Sequence, residues 1–161
     1  MNLLPGYAIE QGSTVDQALL VKFMERTYQE QFPNQNFSHL TRTVEQYFSR
    51  DTPLWWVYAK QETKNHQQSP IGCLWVGNAI DQVSGSRYPH IFLLYVMPEY
   101  RHRGIGKALM NYIENWAKQR GYRQIGLQVF QINTPALNLY HQLGYQEQSL
   151  WMVKSLLSGD N

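Results

Sequence analysis

The 161-residue chain has one cysteine, little net charge and no long apolar run. The lone Cys73 has no disulfide partner within the chain, and no group of Cys and His has zinc-binding spacing, so we predict no metal and a reducing, cytoplasmic location. The 14 Lys and Arg against 12 Asp and Glu leave a net charge of +2, too small for the cationic field of a nucleic-acid-binding protein. No uncharged apolar segment approaches the roughly 18 residues of a membrane span, and residues 1–12 lack the features of a signal peptide. From these absences we predict that the protein has no nucleic-acid partner and no membrane partner.

Hydrophobic and aromatic residues, by contrast, are plentiful. They make up 43% and 14% of the sequence, which excludes wholesale disorder, since a disordered chain combines low hydrophobicity with high net charge. A chain of this length suits one domain and buries a sizeable core without disulfides. We therefore predict a single domain over residues 1–161.

The spacing of the apolar residues predicts a mixture of strands and helices. The predicted strands lie at Tyr7–Glu10, Leu54–Ala59, Ile71–Val76, Ile91–Val96, Ile125–Val129 and Ser149–Lys154. The predicted helices have their apolar faces at residues 20–28, 38–48, 105–116 and 136–143, and Pro33 and Gly121 end the first and third. The polar stretch 61–69 is typical of a hairpin turn, and residues 81–89 are predicted as a loop. The pattern favours one layered domain of the α+β or α/β class, with helices covering a sheet.

The most informative segment runs from a predicted strand through a basic, glycine-containing loop into the strongest helical pattern. The N-terminus of a helix leaves backbone N–H groups unpaired and carries partial positive charge, so it attracts phosphate groups. Gly104 and Gly106 let the backbone approach an anion, and Arg101, Arg103 and Lys107 add cations. We predict a ligand with a phosphate or a diphosphate. The competing interpretation is that the glycines only turn the chain and the arginines are solvated.

Two common nucleotide-binding motifs do not match this loop. A P-loop requires G-x-x-x-x-G-K-[ST], whereas here the two glycines are two residues apart and Ala108 follows Lys107. A dinucleotide-binding fingerprint requires G-x-G-x-x-G, and Leu109 occupies the position of the third glycine. A nucleotide-binding protein of another fold is therefore the weaker alternative.

Two motifs resemble the signatures of the GCN5-related N-acetyltransferase (GNAT) family. Arg101–Gly106, with the sequence R-H-R-G-I-G, matches the R/Q-x-x-G-x-G/A signature and follows a strand that ends in Leu-Tyr-Val. Asn133–Tyr145 resembles the second signature, N-x-x-A-x-x-x-Y followed by G-F/Y. The resemblance covers roughly Ile71–Lys154 in element order, and the N-terminal third agrees in pattern only. It implies a GNAT-like α/β (α+β) fold with a mixed, mostly antiparallel central sheet of six to seven strands flanked by about four helices.

The resemblance also implies acetyl-CoA as the acetyl donor. In the family, the loop amides hold the diphosphate, and the preceding strand separates from its neighbour so that its backbone pairs with the pantetheine arm. An N–H group near Val96 would polarise the thioester carbonyl. The implied cofactor-binding residues are Leu94, Tyr95, Val96, Arg101, His102, Arg103, Gly104, Ile105, Gly106, Lys107, Asn133 and Tyr140. For Asn133 the competing interpretation is a plain helix N-cap.

Two residues are implied as catalytic. Tyr140 matches the tyrosine that protonates the departing thiolate in many relatives, although it also lies on an apolar helix face and suits a core position. His90 matches the strand position where some relatives place a base, and its ordinary pKa of about 6.5 suits that role; the alternative is a histidine in solvent. Gln128 occupies the place of the Glu base of relatives that acetylate protein N-termini. His90, Glu30 and a water-bridged carboxylate therefore stay open as bases, and no catalytic metal is implied.

These observations predict an acetyl-CoA-dependent N-acetyltransferase in which a primary amine attacks the thioester directly in a ternary complex. The first two helices and the loop 81–89 would line the acceptor pocket, and their aromatic content and few acidic residues favour a small-molecule or peptide acceptor. The alternative is a non-catalytic module that binds acetyl-CoA or CoA for sensing or assembly. Members of the family often form dimers, and the apolar run Leu150–Val153 is the candidate seam of a homodimer.

Overall fold

The computed structural model describes residues 1–60 and 68–158. The chain divides into two compact units, Met1–Gln128 and Val129–Asn161. The hairpin turn predicted at residues 61–69 falls largely outside the described residues, and the assignment of one domain stays a prediction.

The first unit is built on a six-stranded sheet whose strands follow one another in chain order. The strands are β1 (Asn2–Leu4), β2 (Tyr7–Gln11), β3 (Leu54–Ala59), β4 (Gly72–Ile80), β5 (Arg87–Val96) and β6 (Gly126–Leu127). Strands β1 to β5 are antiparallel neighbours, and β6 lies parallel to β5. The predicted mixed, mostly antiparallel sheet is confirmed. Strand β1 was not predicted, because three residues are too few to show an alternating pattern.

The described residues form four α-helices, the number predicted. Three belong to the first unit, α1 (Gln17–Gln31), α2 (Leu40–Tyr47) and α3 (Ile105–Gln119), and α4 (Thr134–Gln142) belongs to the second. Helix α1 ends just before Pro33, and α3 ends before Gly121, whose φ of 80° suits a glycine that follows a helix. The predicted stop signals therefore act where the sequence places them.

The sheet has helices on both faces, as two adjacent tryptophans of β3 show. Neighbouring residues of a strand point to opposite faces. The ring of Trp56 lies 5.3 Å from that of Phe23 in α1. The ring of Trp55 lies 5.6 Å from those of Tyr112 and Trp116 in α3. The first unit therefore has two cores, one on the side of α1 and the other on the side of α3.

Strand β5 contains a bulge at Phe92. Leu93 pairs with Trp75 of β4, whereas Ile91 pairs with Val76. Phe92 is therefore an extra residue between two consecutive pairs, and the register shifts there. Bulges bend a strand and redirect its side chains, and this one immediately precedes the last residues of β5.

Gly77 in β4 lies against the Phe92 ring. A Cβ added to Gly77 would lie 2.0 Å from Phe92 Cε2, and the ring is confined by Trp75, Tyr47 and His90 at 4.8–5.9 Å between ring centres. We expect Gly77→Ala to lower the free energy of unfolding by about 1–3 kcal/mol, because overpacking displaces the ring. Urea denaturation measures this, and the double variant with Phe92→Leu should recover most of the loss. An unchanged stability of Gly77→Ala would contradict the prediction.

The predicted final strand at Ser149–Lys154 is wrong. No strand is assigned to these residues, and the side chains of Leu150, Trp151, Met152 and Val153 are 72–87% exposed. A continuous apolar run specifies no single face, and a strand forms only where a neighbour pairs with its backbone. The apolar run at residues 150–153 therefore does not by itself specify a strand.

The hairpin between β4 and β5 is tighter than predicted. Asp81 accepts hydrogen bonds from Val83 N and Ser84 Oγ at 2.9 and 3.1 Å, which closes the turn early. Strand β4 consequently continues to Ile80 and β5 begins at Arg87, so part of the predicted loop belongs to a strand. Strand β6 is only two residues long, shorter than its alternating pattern predicted.

Candidate active site

Within residues 1–60 and 68–158, the outer edge of β5 has a neighbouring strand along only part of its length. Strand β6 pairs only with His90 and Ile91 of β5. Strand β5 itself continues to Val96, so its last residues extend beyond the β6 pairing. This open edge contains Leu94 and Tyr95, and it lies where the resemblance implies that the strands separate.

The backbone of Val96 is directed toward the open edge. Met97 N donates to Ile71 O at 2.8 Å, on the β4 side of the sheet. Because the N–H groups of successive strand residues point to opposite edges, the N–H of Val96 points away from β4. This N–H is therefore directed toward a ligand lying along the open edge.

Residues 101–107, the anion loop, run from the end of the β5–α3 connection into the first turn of α3 and have the backbone features of an anion-binding site. His102 and Gly104 have φ angles of 62° and 82°, and left-handed positions in a turn create concave arrays of N–H groups. Helix α3 begins at Ile105, and Ala108 N donates to Gly104 O, so the amides before Ala108 have no acceptor within the helix. A Cβ on Gly104 would meet no atom within 4 Å, and Lys107 is exposed on the first turn. The loop has both the donors and the room for a phosphate group.

Two arginines of the loop have partners far away in the sequence. Arg103 Nη1 donates to Tyr7 Oη at 3.1 Å, and its guanidinium lies 5.3 Å from the ring centre of Tyr100. Arg101 forms an ion pair with Glu30 at 2.8 Å. Neither partnership could be predicted from the sequence, because Tyr7 and Glu30 stand 96 and 71 residues from their arginines and no local pattern links them.

His90 lies on β5 at the point where the pairing with β6 begins. The side chain is half-buried, its ring lies 5.7 Å from that of Phe92, and its buried Nδ1 has no hydrogen-bond partner among residues 1–60 and 68–158. Burial lowers the pKa of His90 from its ordinary value, because the charged form is poorly solvated there. At neutral pH the imidazole is therefore uncharged, which is the form that accepts a proton.

The second unit carries the other two predicted site residues. Asn133 Oδ1 accepts from Ala136 N at 3.3 Å and so caps α4, in agreement with the N-cap interpretation. The half-buried Tyr140 has its ring 5.9 Å from that of Tyr145, and burial raises the pKa of Tyr140 to about 12. The phenol therefore keeps its proton at neutral pH and can donate it. The contacts of Asn133 and Tyr140 with a cofactor stay predictions.

Other chemically active groups are few in the described part of the chain. There, no three His, Cys, Asp or Glu side chains come together as metal ligands. Across the same residues, no helix has the length and apolar character needed to cross a membrane. Cys73 is buried in the core on the α1 side, and burial raises the pKa of its thiol, which makes it a poor nucleophile.

Residues 21–145 match the family model described as the Acetyltransferase (GNAT) family. This match covers most of the chain and includes the open edge, the anion loop and both motifs. The chain therefore belongs to the GNAT family of acetyltransferases, which confirms the resemblance seen in the sequence.

Individual relatives are similar in sequence to part of this chain. An uncharacterized N-acetyltransferase of Methanocaldococcus jannaschii is 35% identical over 86 residues, which are 50% of this chain and 36% of that protein. An uncharacterized N-acetyltransferase of Bacillus subtilis is 30% identical over 93 residues, 58% of each chain. This chain thus spans about half the length, or less, of these curated relatives. A structure from Clostridium acetobutylicum, described as a predicted acetyltransferase with acetyl-CoA, has a TM-score of 0.71 and 20% identity, covers 96% of this chain and 99% of its own, and confirms the fold.

Proposed function

We propose that this protein is an acetyl-CoA-dependent N-acetyltransferase that acetylates a primary amine of a small molecule or a peptide. The observation that carries the proposal is the open edge of β5, which leads directly into the backbone anion loop at residues 101–107. An acyl thioester with a diphosphate needs both features at once, a backbone edge for its arm and N–H groups for its phosphates. Membership of the GNAT family supports the same donor.

Each part of the site has a task in this proposal. The N–H groups of residues 102–107 would hold the diphosphate. The backbone of Leu94, which like that of Val96 points away from β4, would pair with the pantetheine arm. The bound donor supplies an activated acetyl group. The N–H of Val96 would bond the thioester carbonyl and stabilise the charge that develops on its oxygen, which is the largest contribution in many acyl transfers.

His90 and Tyr140 would manage the two proton transfers. The neutral imidazole of His90 accepts the proton of the attacking amine, and the protonated phenol of Tyr140 donates to the departing thiolate. Glu30 is less suited to be the base, because both of its carboxylate oxygens already accept hydrogen bonds from Arg101, and Oε1 also accepts from Tyr95.

We expect acetyl-CoA, and neither ATP nor NAD, to raise the melting temperature of the protein. A ligand at 100 times its Kd stabilises the native state by about 2.7 kcal/mol. For a chain of this size that corresponds to a rise of about 5–10 °C. Thermal melting with each of the three compounds tests this, and an equal shift with all three would contradict a site for acetyl-CoA.

An acceptor screen separates an enzyme from a non-catalytic binding module. Release of CoA is followed with pooled amines, amino acids, polyamines and peptides in the presence of acetyl-CoA. Turnover with one class of primary amine supports the proposal. Tight binding of acetyl-CoA without turnover on any pool would favour the sensing or assembly module instead.

We expect the rate at saturating amine to fall at low pH with an apparent pKa below 6.5. Burial lowers the pKa of His90. The imidazole is therefore protonated, and lost as a base, only at a lower pH than an exposed histidine. His90→Gln should remove this acid limb and slow the reaction about 100-fold at pH 8. The exposed His39 provides the matched control, His39→Gln, which should keep the wild-type profile. An acid limb unchanged in His90→Gln would exclude His90 as the base.

We further propose a homodimer and a cytoplasmic location. The exposed run Leu150–Val153 supports self-association, because four consecutive large apolar side chains in water are an unfavourable surface for a monomer. The free thiol of Cys73 is compatible with a reducing compartment. Light scattering tests the dimer, and the double variant Trp151→Ser with Met152→Ser should weaken it.

A further inference from the structure

Glu30, Tyr95 and Arg101 come from α1, β5 and the anion loop and meet at the end of the open edge. Tyr95 Oη donates to Glu30 Oε1 at 2.7 Å. Arg101 Nη2 donates to both Glu30 carboxylate oxygens, at 2.9 and 2.8 Å. The Arg101 guanidinium also lies 5.4 Å from the centre of the Tyr95 ring. This cluster ties helix α1 to both parts of the proposed acetyl-CoA site.

The same guanidinium satisfies a backbone oxygen at the open edge. Arg101 Nε donates to Val96 O at 2.8 Å. In a strand, the C=O and the N–H of one residue point to the same edge. With its carbonyl occupied by Arg101, Val96 presents its N–H as the remaining backbone group at that position.

Arg101 can hold the Val96 carbonyl only if the guanidinium is itself held in place. A long side chain near the surface loses considerable rotamer entropy when it is ordered. Glu30 binds the outer end of the guanidinium, which leaves Nε directed at Val96. The two side chains are 38% and 37% exposed, and ion pairs with that exposure add little stability. The effect of Glu30 is therefore expected in the geometry of the site more than in the stability of the fold.

We propose that Glu30 is a positioning residue: through Arg101 it holds Val96 and the start of the anion loop, so that the Val96 N–H is presented to the thioester carbonyl. The inference rests on the proposed function and deepens it. Glu30 acts through Arg101 and not on the reacting atoms. Since the N–H bond to the carbonyl strengthens as charge develops, losing the positioning lowers kcat more than it weakens binding.

The test compares Glu30→Gln, Arg101→Lys and the double variant with the wild-type protein. Lysine keeps the charge but lacks the planar fork that reaches the carboxylate and Val96 together. We expect each single variant to lower kcat about tenfold while the Kd for acetyl-CoA, measured by calorimetry, changes less than threefold. The kcat of the double variant should be no lower than that of either single variant, because the two substitutions break the same linkage from Glu30 through Arg101 to Val96. Glu25→Gln makes the same charge change on α1 outside the cluster and should match the wild type in kcat, Kd and melting temperature.

Three results would overturn the inference. A kcat within twofold of wild type in Glu30→Gln would show that Arg101 needs no partner. If the loss of kcat in the double variant equalled the product of the two single losses, the two residues would act independently. A lost acid limb in the pH profile of Glu30→Gln, but not of Arg101→Lys, would make Glu30 the base. Failure of the proposed function is a separate result, because the wild-type protein itself would then neither bind acetyl-CoA nor release CoA.

Discussion

Gly104→Asp is expected to weaken acetyl-CoA binding at least 100-fold and to leave the protein folded. The substitution puts a carboxylate at the N-terminus of α3, where the diphosphate would bind. Two unit charges 4 Å apart interact by about 4 kcal/mol at an effective dielectric constant of 20. Two thirds of that repulsion, about 2.7 kcal/mol, already corresponds to about 100-fold in Kd.

The matched control is Gly104→Asn, which has nearly the same shape and no charge. Asn and Asp both tolerate the left-handed backbone that Gly104 adopts at φ 82°, and both cap helices well. A negative charge at a helix N-terminus is favourable by about 0.3–1 kcal/mol, so the aspartate variant should melt at or above the temperature of the asparagine variant. Calorimetric titration with acetyl-CoA and thermal melting give both quantities. Equal affinities of the two variants would show that the diphosphate lies elsewhere.

Tyr140→Phe is expected to lower kcat about 100-fold with little change in the Kd for acetyl-CoA. Removing a general acid typically costs between 100- and 10,000-fold in rate. Burial raises the pKa of Tyr140 to about 12, so the phenol carries its proton throughout the range of ordinary assays. The loss should therefore be the same at pH 7 and pH 9. Steady-state kinetics at both pH values measure it.

Tyr145 provides the control for this prediction. Its ring lies 5.9 Å from that of Tyr140, and Tyr145→Phe removes a hydroxyl from the same unit of the chain. The family signature accepts phenylalanine at this position, so we expect kcat within a factor of about three of wild type. A large loss in Tyr145→Phe together with a small one in Tyr140→Phe would reverse the assignment of the acid.

The helices show what the periodic spacing of apolar residues can predict. Residues 105–116 carry apolar side chains on one face, and α3 occupies Ile105–Gln119, as the pattern and the following Gly121 predicted. The run at Ser149–Lys154 shows where periodicity ends, because consecutive apolar residues lack an alternation that would specify a strand. A helix satisfies its own backbone, whereas a strand depends on a neighbour that the local sequence does not name.

The candidate site divides in the same way. The glycines, the basic residues and the transition from strand to helix are consecutive in the chain, so the anion loop could be predicted from its own residues. The bulge at Phe92 and the early end of the β6 pairing could not, because both arise from register between distant segments. The same holds for Glu30: the sequence suggests it only as a candidate base, whereas the structure places it against Arg101.

By itself the sequence determined the family, the four helices, the class of ligand and the loop that would hold its phosphates. All of these follow from residues close together in the chain, through local hydrogen bonding, glycine backbone freedom and periodic burial. Only the tertiary structure decided how far β5 extends beyond its pairing with β6, that the Val96 N–H points to the open edge, and that Glu30 holds Arg101 there. These features depend on strand register and on contacts between segments about 70 residues apart, and the folded backbone alone brings such segments together.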